Sequence, residues 1–204
     1  MRCYSQLGQD QWVLQNVPHK GYFVDIGASD GVLFSNTYAL ERMGWTGICA
    51  EPHNRFFEEL KRNRRCNLSN LCVLNETGLE VDFCEAGCLS GVSSYFSDDH
   101  QRTCETIKKK TISLKDLLVN FNAPKHIEYL SLDTENSEWA ILKAFNFDYK
   151  FKCITVEHNG VKENKEGIAA LLKEHNYKRI EKWHTFEEVE KNIEDWYLYE
   201  LPLL

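Results

Sequence analysis

Acidic residues and one histidine follow directly after two apolar, strand-like runs of the chain. Asp133 and Glu135 follow the earlier run, and Glu157 and His158 follow the later one. The carboxyl ends of parallel strands meet at one edge of an α/β sheet, so we expect these side chains to converge. An oxygen-rich set with one imidazole suits Mg²⁺ or Mn²⁺, which would hold a hydroxyl group and lower its pKa. His158 is also a candidate base without any metal, because imidazole titrates near neutral pH.

A glycine-containing loop follows a third strand-like run near the start of the chain. Residues 22–26 lead into Gly27-Ala-Ser-Asp-Gly31, and a glycine at each end allows a tight turn and a close approach to a ligand. Glu51 ends the next strand-like run, where a carboxylate can accept hydrogen bonds from two ribose hydroxyls. The loop and Glu51 together predict an adenosine site.

The charges around this loop discriminate between adenosine cofactors. Ser29 stands where the dinucleotide fingerprint G-x-G-x-x-G needs its second glycine, so NAD is the weaker candidate. Asp25 and Asp30 would repel phosphates but can pair with an ammonium group, which favours S-adenosylmethionine. One alternative stays open, in which Asp25 only caps the loop through backbone hydrogen bonds.

Several segments of the chain resemble the FkbM family of methyltransferases, in the family's order. They are Ser5-Gln-Leu-Gly-Gln-Asp10, Gly21-Tyr-Phe-Val-Asp-Ile-Gly-Ala-Ser-Asp-Gly31, Ser35-Asn-Thr37, Leu40-Glu41, Gly44-Trp-Thr-Gly47, Glu51-Pro52 and Tyr129-Leu-Ser-Leu-Asp-Thr-Glu135 with Glu138. The resemblance implies an S-adenosylmethionine-dependent O-methyltransferase acting on hydroxyls of sugars or secondary metabolites. It implies these cofactor-binding residues: Gln6, Asp25, Gly27, Ala28, Asp30, Gly31, Ser35, Asn36, Glu51 and Pro52. The chain departs from many relatives at Asn136, where they carry glycine.

The acidic edge is also similar to that of metal-dependent O-methyltransferases of catechols and antibiotic sugars. This similarity implies Asp133, Glu157 and His158 as metal ligands and Glu135 as general base. A histidine in place of a second carboxylate or amide favours manganese over magnesium. In the structural alternative, Glu135 and Glu138 only place negative charge on the first turn of the next helix.

Strand-like and helix-like runs alternate along the chain, which positions these residues. The predicted strands are Tyr22–Ile26, Thr46–Ala50, Asn70–Leu74, Ile127–Leu132 and Cys153–Val156, and the predicted helices are Thr37–Met43, Asn54–Arg64, Ser113–Asn120, Glu135–Phe145 and Lys165–His175. The alternation predicts a doubly wound, mostly parallel, seven-stranded Rossmann-like α/β sheet with helices on both faces. Tyr177–Ile180 and Trp196–Leu201 are expected to close it as an antiparallel C-terminal edge hairpin. Between residues 74 and 111 the pattern is weak, with one probable strand at Leu79–Phe83, and this stretch is either a flap over the site or a surface excursion.

Length and composition narrow the class of protein. The 204 residues suit a single domain spanning 1–204, and no run is long and apolar enough to predict a membrane span. The net charge of −7 disfavours a nucleic-acid partner, although 61–65 and 108–110 form small basic runs. The eight cysteines lack zinc-type spacing, which indicates reduced thiols and a cytoplasmic location.

These observations leave three hypotheses about the function. The favoured one is an O-methyltransferase with a small-molecule or glycan acceptor, without a nucleic-acid or membrane partner, and compatible with a homodimer. One alternative is an NAD- or nucleotide-binding domain. The other is a catalytically silent methyltransferase fold that serves as an interaction module.

Overall fold

The computed structural model describes residues 3–96, 104–180 and 193–200. The helices in these ranges are α1 (Gln9–Asn16), α2 (Tyr38–Arg42), α3 (Asn54–Asn63), α4 (Leu114–Asn120), α5 (Glu138–Ala144) and α6 (Lys162–Glu174). The strands are β1 (Tyr22–Ile26), β2 (Thr46–Ala50), β3 (Asn67–Ser69), β4 (Cys72–Leu74), β5 (Glu80–Glu85), β6 (Gly91–Val92), β7 (Glu105–Ser113), β8 (His126–Leu132), β9 (Lys150–Glu157), β10 (Tyr177–Arg179) and β11 (Glu194–Tyr199). No helix in the described ranges has the length and apolar character needed to cross a membrane.

The central sheet has seven strands in the order β10-β11-β9-β8-β1-β2-β3. Strands β9 to β3 in this order are parallel, whereas β11 runs antiparallel to both β9 and β10. The chain changes direction along the sheet between β1 and β8, which is where an open α/β sheet binds ligands. The predicted doubly wound sheet with an antiparallel C-terminal edge pair is confirmed.

The two faces of this sheet bury separate cores. Val24 and Leu130 lie in the core that α4, α5 and α6 cover. Phe23 and Tyr129, their neighbours in sequence, lie in the core that α1, α2 and α3 cover. Successive residues of a strand point to opposite faces, so these continuous apolar runs reflect strands buried on both sides.

A second sheet of four strands has the order β4-β7-β5-β6. The predicted third strand Asn70–Leu74 was expected in the central sheet, but β4 (Cys72–Leu74) pairs with β7 in the second sheet instead. The edge position beside β2 belongs to Asn67–Ser69. A short apolar run indicates a buried strand without indicating its sheet, which explains the error. The extra strand predicted at Leu79–Phe83 is present as β5.

Two of the cysteines are oxidised. Cys84 and Cys104 form a disulfide, so the expectation of reduced thiols was wrong for this pair. The antiparallel pairing of β5 with β7, in which Cys84 faces Thr106, brings the two cysteines together, and their spacing in sequence carries no such signal. The other cysteines are free, and Cys49, Cys72 and Cys153 are buried, as predicted: the free set is Cys3, Cys49, Cys66, Cys72, Cys88 and Cys153.

Candidate active site

A cleft opens at the carboxyl ends of the central parallel strands. Its volume of about 380 Å³ falls in the usual range for small-molecule sites. The predicted site residues that line it are Gln6, Asp25, Gly27, Ala28, Ser35, Asn36, Glu51, Asp133, Glu135 and Glu157. The structure therefore brings the glycine loop and the acidic edge into one cleft.

A smaller inner pocket adjoins the cleft. Gly27, Glu51 and Asp133 line both. The walls of the inner pocket are mostly apolar and include Pro52, Cys72, Val73, Phe83 and Val92. Pro52, predicted as a cofactor residue, thus lies beside the cleft in this narrower space.

Gly27 holds the loop in the left-handed backbone region, with φ of 89°. Its amide and that of Ala28 both donate to the carbonyl oxygen of Ala50, at 2.9 and 3.1 Å. A Cβ on Gly27 would overlap the carbonyl oxygen of Asp133. Glycine is therefore required by the close approach of two strand-end loops, in addition to any ligand that lies over it.

Glu51 is buried at the end of β2, with both carboxylate oxygens oriented. Its Oε2 accepts a hydrogen bond from the Ser29 amide at 2.8 Å, and its Oε1 accepts one from the His53 amide at 2.7 Å. Each oxygen keeps a second lone pair for a ligand hydroxyl. Burial raises the pKa of Glu51 to about 7, the two amides oppose the shift, and the nearby Asp133 adds to it.

Asp25 is buried beneath the loop and has partners within the fold. Thr37 Oγ1 donates to Asp25 Oδ2 at 2.5 Å, and Arg64 Nη2 donates to the same Thr37 oxygen at 3.0 Å. Burial raises the pKa of Asp25, and the Arg64 guanidinium opposes that shift. The charge of Asp25 is thus partly balanced by the protein itself rather than left wholly for a ligand.

Asp30 and Gly31 lie outside the cleft. The Asp30 Oδ1 accepts hydrogen bonds from the amides of Val32 and Leu33, both at 2.8 Å. Gly31 packs against Arg64 at the end of α3. The structure therefore does not bring these two predicted cofactor residues to the cleft, and they close the loop against α3.

Ser35 and Asn36 reach the cleft from the segment before α2. The Ser35 Oγ accepts a hydrogen bond from the Tyr38 amide at 3.1 Å. Asn36 Nδ2 donates to Ser131 Oγ at 2.9 Å, while its Oδ1 is buried without a hydrogen-bond partner among the described residues. That amide oxygen is available to accept a hydrogen bond from a ligand. Gln6 stands exposed at the edge of the same cleft.

Asp133, Glu135 and Glu157 form a carboxylate cluster on the other side of the cleft. One oxygen from each lies within 4.8 Å of the others. Asn159 Nδ2 donates to Glu157 at 2.8 Å and to Glu135 at 3.3 Å. None of the salt bridges within the described ranges includes a residue of the cluster. Glu135 also has a left-handed backbone, with φ of 57°, a conformation that costs free energy in a non-glycine residue.

The cluster binds protons more tightly than isolated carboxylates do. Burial raises the pKa of Asp133 to about 6, and burial together with the charge of Asp133 raises that of Glu135 to about 8. Burial, followed by the charge of Asp133, raises the pKa of Glu157 further still. Glu138, buried behind them, has its pKa raised to about 7 by burial. A cation in the cleft would relieve this concentration of negative charge.

His158 was predicted as a metal ligand or base, but the structure does not bring it to the carboxylate cluster. The side chain is fully buried, and its Nδ1 accepts a hydrogen bond from the Gly160 amide at 3.1 Å. Its Nε2 lies 3.5 Å from Asp195 Oδ2 on β11. Glu157 and His158 are adjacent on an extended segment, so their side chains point to opposite faces of the sheet.

Glu194 and Gln9 line the cleft but were missed in the sequence. The Nε2 of Gln9 donates to both carboxylate oxygens of Glu194 at 3.1 Å, and the indole of Trp196 donates to Oε1. Burial raises the pKa of Glu194 to about 7. Glu194 begins an antiparallel strand and lies opposite Glu157. The signal was therefore present, because the first residue of a strand that runs antiparallel to β9 lies at the carboxyl end of β9.

Comparisons with known proteins support the fold. No sequence relative was found among curated proteins. Magnesium protoporphyrin IX methyltransferase from Synechocystis PCC 6803, solved with bound SAM, is similar over 94% of this chain and 78% of that one, with 9% identity and a TM-score of 0.52. Precorrin-6y C5,15-methyltransferase from Geobacter metallireducens GS-15 is 10% identical over 94% of this chain and 87% of that one, with a TM-score of 0.48. At 9% identity the likeness to the first structure concerns the fold alone, and the second, with a TM-score below 0.5, carries no argument.

A family comparison covers most of the cleft residues. Residues 25–179, well over half of the chain, match the Methyltransferase FkbM domain. The match includes the glycine loop, Glu51 and the carboxylate cluster. The prediction made from the sequence motifs is confirmed, and the chain belongs to the FkbM family of methyltransferases.

Proposed function

We propose that the protein transfers a methyl group from S-adenosylmethionine to a hydroxyl of a sugar, a glycan or a small metabolite. The observation that carries the proposal is the single cleft that joins an adenosine-type site, at Gly27 and Glu51, to a carboxylate cluster. The cleft holds no lysine, arginine or histidine among its described lining residues. The resulting negative charge of the cleft disfavours a phosphate-rich acceptor such as a nucleic acid.

The residues around the inner pocket fit the cofactor. The two free lone pairs of Glu51 suit a pair of ribose hydroxyls, and the apolar walls formed by Val73, Phe83 and Val92 suit an adenine ring. The unpartnered Oδ1 of Asn36 suits an ammonium group. When bound, S-adenosylmethionine supplies an activated methyl group on a sulfonium, which the acidic cleft also favours electrostatically.

Glu135 is the candidate base for the acceptor. In O-methylation the acceptor hydroxyl loses its proton as its oxygen bonds to the methyl carbon, so a proton acceptor is needed beside it. Burial and the charge of Asp133 raise the pKa of Glu135 to about 8, close to neutral pH. A carboxylate poised in this range is matched to accepting a hydroxyl proton.

As an alternative to Glu135 acting as a free base, the carboxylate cluster fits a divalent cation. Asp133, Glu135 and Glu157 offer three oxygens within 4.8 Å of one another, the donor type that Mg²⁺ and Mn²⁺ prefer. Asn159 adds an amide beside them. Bound there, the ion would supply Lewis acidity toward an acceptor hydroxyl. We propose this set in place of the one containing His158.

Cofactor binding is tested by isothermal titration with S-adenosylhomocysteine, S-adenosylmethionine and NAD. We expect S-adenosylhomocysteine to bind, and Glu51→Gln to weaken it by about 1.5–3 kcal/mol because a charged acceptor is lost. Glu58→Gln, an exposed change on α3, is the matched control. Binding of NAD alone would favour the nucleotide-binding alternative. Binding of S-adenosylhomocysteine without methylation of any glycan, nucleoside or phenolic acceptor, screened with labelled methyl donor, would favour the silent module.

The ion is tested with the metal alone, by titration of Mn²⁺ followed by electron paramagnetic resonance. If the proposal holds, Asp133→Asn and Glu157→Gln lose Mn²⁺ binding and keep S-adenosylhomocysteine binding, whereas His158→Gln keeps both. EDTA would then stop methyl transfer, and Mg²⁺ or Mn²⁺ would restore it. Unchanged Mn²⁺ binding in Asp133→Asn would exclude the site, and activity in EDTA would leave Glu135 as the base without an ion.

A further inference from the structure

A hairpin of the second sheet lies against the cofactor cleft. Strands β5 and β6 pair antiparallel, and the turn between them contains a short 3-10 helix at Gly87–Leu89. This turn lines the cleft, and the strands on either side of it form one wall of the inner pocket. We call residues 83–92 the strap.

The strap contacts both halves of the proposed site. On the cofactor side, Glu85 Oε1 accepts a hydrogen bond from the Asn54 amide at 2.7 Å and lies 3.7 Å from His53 Nδ1. On the acidic side, the backbone of Gly91 approaches so closely that a Cβ there would lie 3.2 Å from the Cβ of Glu135. The position of the strap therefore affects the loop after Glu51 and the loop after β8 together.

The apolar support of the strap is limited. The core of the second sheet contains four buried apolar side chains, Cys72, Leu74, Phe83 and Val92, far fewer than either core of the central sheet. A segment with so few apolar contacts opens at low free energy. The turn itself is exposed at Gly87, Cys88 and Leu89.

The disulfide adds a covalent constraint to the strap at one position. Cys84 lies directly before Glu85, and Cys104 lies directly before β7. Strand β7 also reaches the cofactor side, because Lys109 Nζ donates to Asn54 Oδ1 at 2.6 Å. The covalent link thus closes a loop that starts and ends on paired strands and that contains the whole turn of the strap.

We propose that the Cys84–Cys104 disulfide positions the strap over the cofactor site, so that its reduction weakens cofactor binding. The proposal rests on the proposed function, since it concerns the affinity of the same cleft. Reduction by a dithiol transfers two electrons and two protons to the sulfurs, which gives two cysteine thiols while the dithiol closes into its own disulfide. In the reduced protein the strap must become ordered when the cofactor binds, and the entropy lost in that ordering lowers the affinity for the cofactor.

The test compares S-adenosylhomocysteine affinity, by isothermal titration, in the oxidised protein and after treatment with dithiothreitol. We expect a loss of roughly three- to tenfold on reduction, the scale of ordering a few side chains. The double variant Cys84→Ser, Cys104→Ser should show the reduced affinity and no response to dithiothreitol. Cys3→Ser is the matched control, because it removes a free thiol that is distant in sequence from the disulfide. Its affinity should respond to dithiothreitol as that of the parent protein does.

Three further measurements make the result decisive. Thiol titration of the unfolded, unreduced protein should find six reactive thiols rather than eight, and eight would overturn the proposal. Equal affinity before and after reduction, with thermal unfolding showing that the reduced protein is folded, would overturn it as well. If the double variant does not fold, Glu85→Gln with the disulfide intact still tests the strap, and unchanged affinity would contradict its role. Failure of every form to bind S-adenosylhomocysteine would instead refute the proposed function.

Discussion

At the scale of single residues, the cleft is defined by carboxylates whose burial works against folding. Six of them line it: Asp25, Glu51, Asp133, Glu135, Glu157 and Glu194. Burying a carboxylate is costly unless it is paired or protonated. Arg64 offsets the charge of Asp25, and backbone amides hold Glu51, but the cluster around Asp133 has no cationic partner among the described salt bridges. Such a conflict between stability and local chemistry is typical of a functional site.

Glu194 gives a pH-dependent test of this cost. Burial raises its pKa to about 7, whereas a glutamate in the unfolded chain titrates near 4.3. The folded state therefore binds more protons between these values, so stability should fall as pH rises from about 5 to 8, by up to about 3 kcal/mol for this group. Glu194→Gln should make the decline in Tm with pH less steep, as measured by thermal unfolding at several pH values. Exposed Glu174→Gln is the control, and equal slopes for Glu194→Gln and the parent protein would contradict the assigned burial cost.

The sequence predicted which residue types meet at the cleft better than which way each side chain points. Glu51, Asp133 and Glu157 were predictable because each ends a parallel strand. The position of His158 was not predictable, because it directly follows β9 and only the alternation of side chains along the extended chain turns it toward Asp195. Glu194 was missed because the last strand was predicted to begin at Trp196, whereas it begins two residues earlier.

At the scale of elements, α3 is joined to the cofactor loop by one buried guanidinium. Arg64 follows α3 directly, and its Nη1 donates to the carbonyl oxygen of Gly31 at 3.2 Å and to Ser35 Oγ at 3.3 Å. Its Nε donates to Glu41. In the sequence Arg64 belongs to a basic run that predicts a surface patch, yet its side chain is fully buried. The charge of a run alone therefore does not reveal which member turns inward.

Arg64→Met should destabilise the protein and weaken cofactor binding together. The change leaves the carboxylates of Glu41 and Asp25 without their cationic partner, and breaking a buried pair costs about 3–5 kcal/mol. Chemical denaturation should show this loss. Arg55→Met on the same helix, where the side chain is 77% exposed, should change stability by less than about 1 kcal/mol. Equal stability of the two variants would mean that the link between α3 and the loop is dispensable.

The strands were predictable where their residues are apolar and buried on both faces. Strands β1, β2 and β8 were placed from sequence almost to the residue, whereas β9 was predicted as Cys153–Val156 and begins three residues earlier, at Lys150. Strand β7 was missed because its exposed residues Lys108 and Lys110 mask the inward Lys109, Thr111 and Ile112. The pairing of Cys84 with Cys104 depends on that strand, so the disulfide was missed with it.

At the scale of the whole molecule, two sheets with hydrophobic cores of unequal size meet at the cleft. The central sheet has two large cores, and the second sheet has a small one. Residues of both line the inner pocket, since Ile26 and Ala50 come from the central sheet and Phe83 and Val92 from the second. A ligand in that pocket therefore bridges a stable part of the fold and a less stable one.

This arrangement predicts where hydrogen exchange responds to S-adenosylhomocysteine. In the free protein, amides of the strap should exchange faster than those of β8 and β9, because local opening follows the size of the supporting core. A ligand that bridges both sheets must be released before the strap opens. Hydrogen exchange at the strap amides should therefore slow by up to about 100-fold at a ligand concentration of 100 times the Kd. Helix α6, whose buried side chains Ile168 and Leu172 belong to the central core, lies outside this linkage. Mass spectrometry of exchanged peptides checks the pattern, and protection confined to α6, or spread equally over the described residues, would show that the cleft does not couple the two sheets.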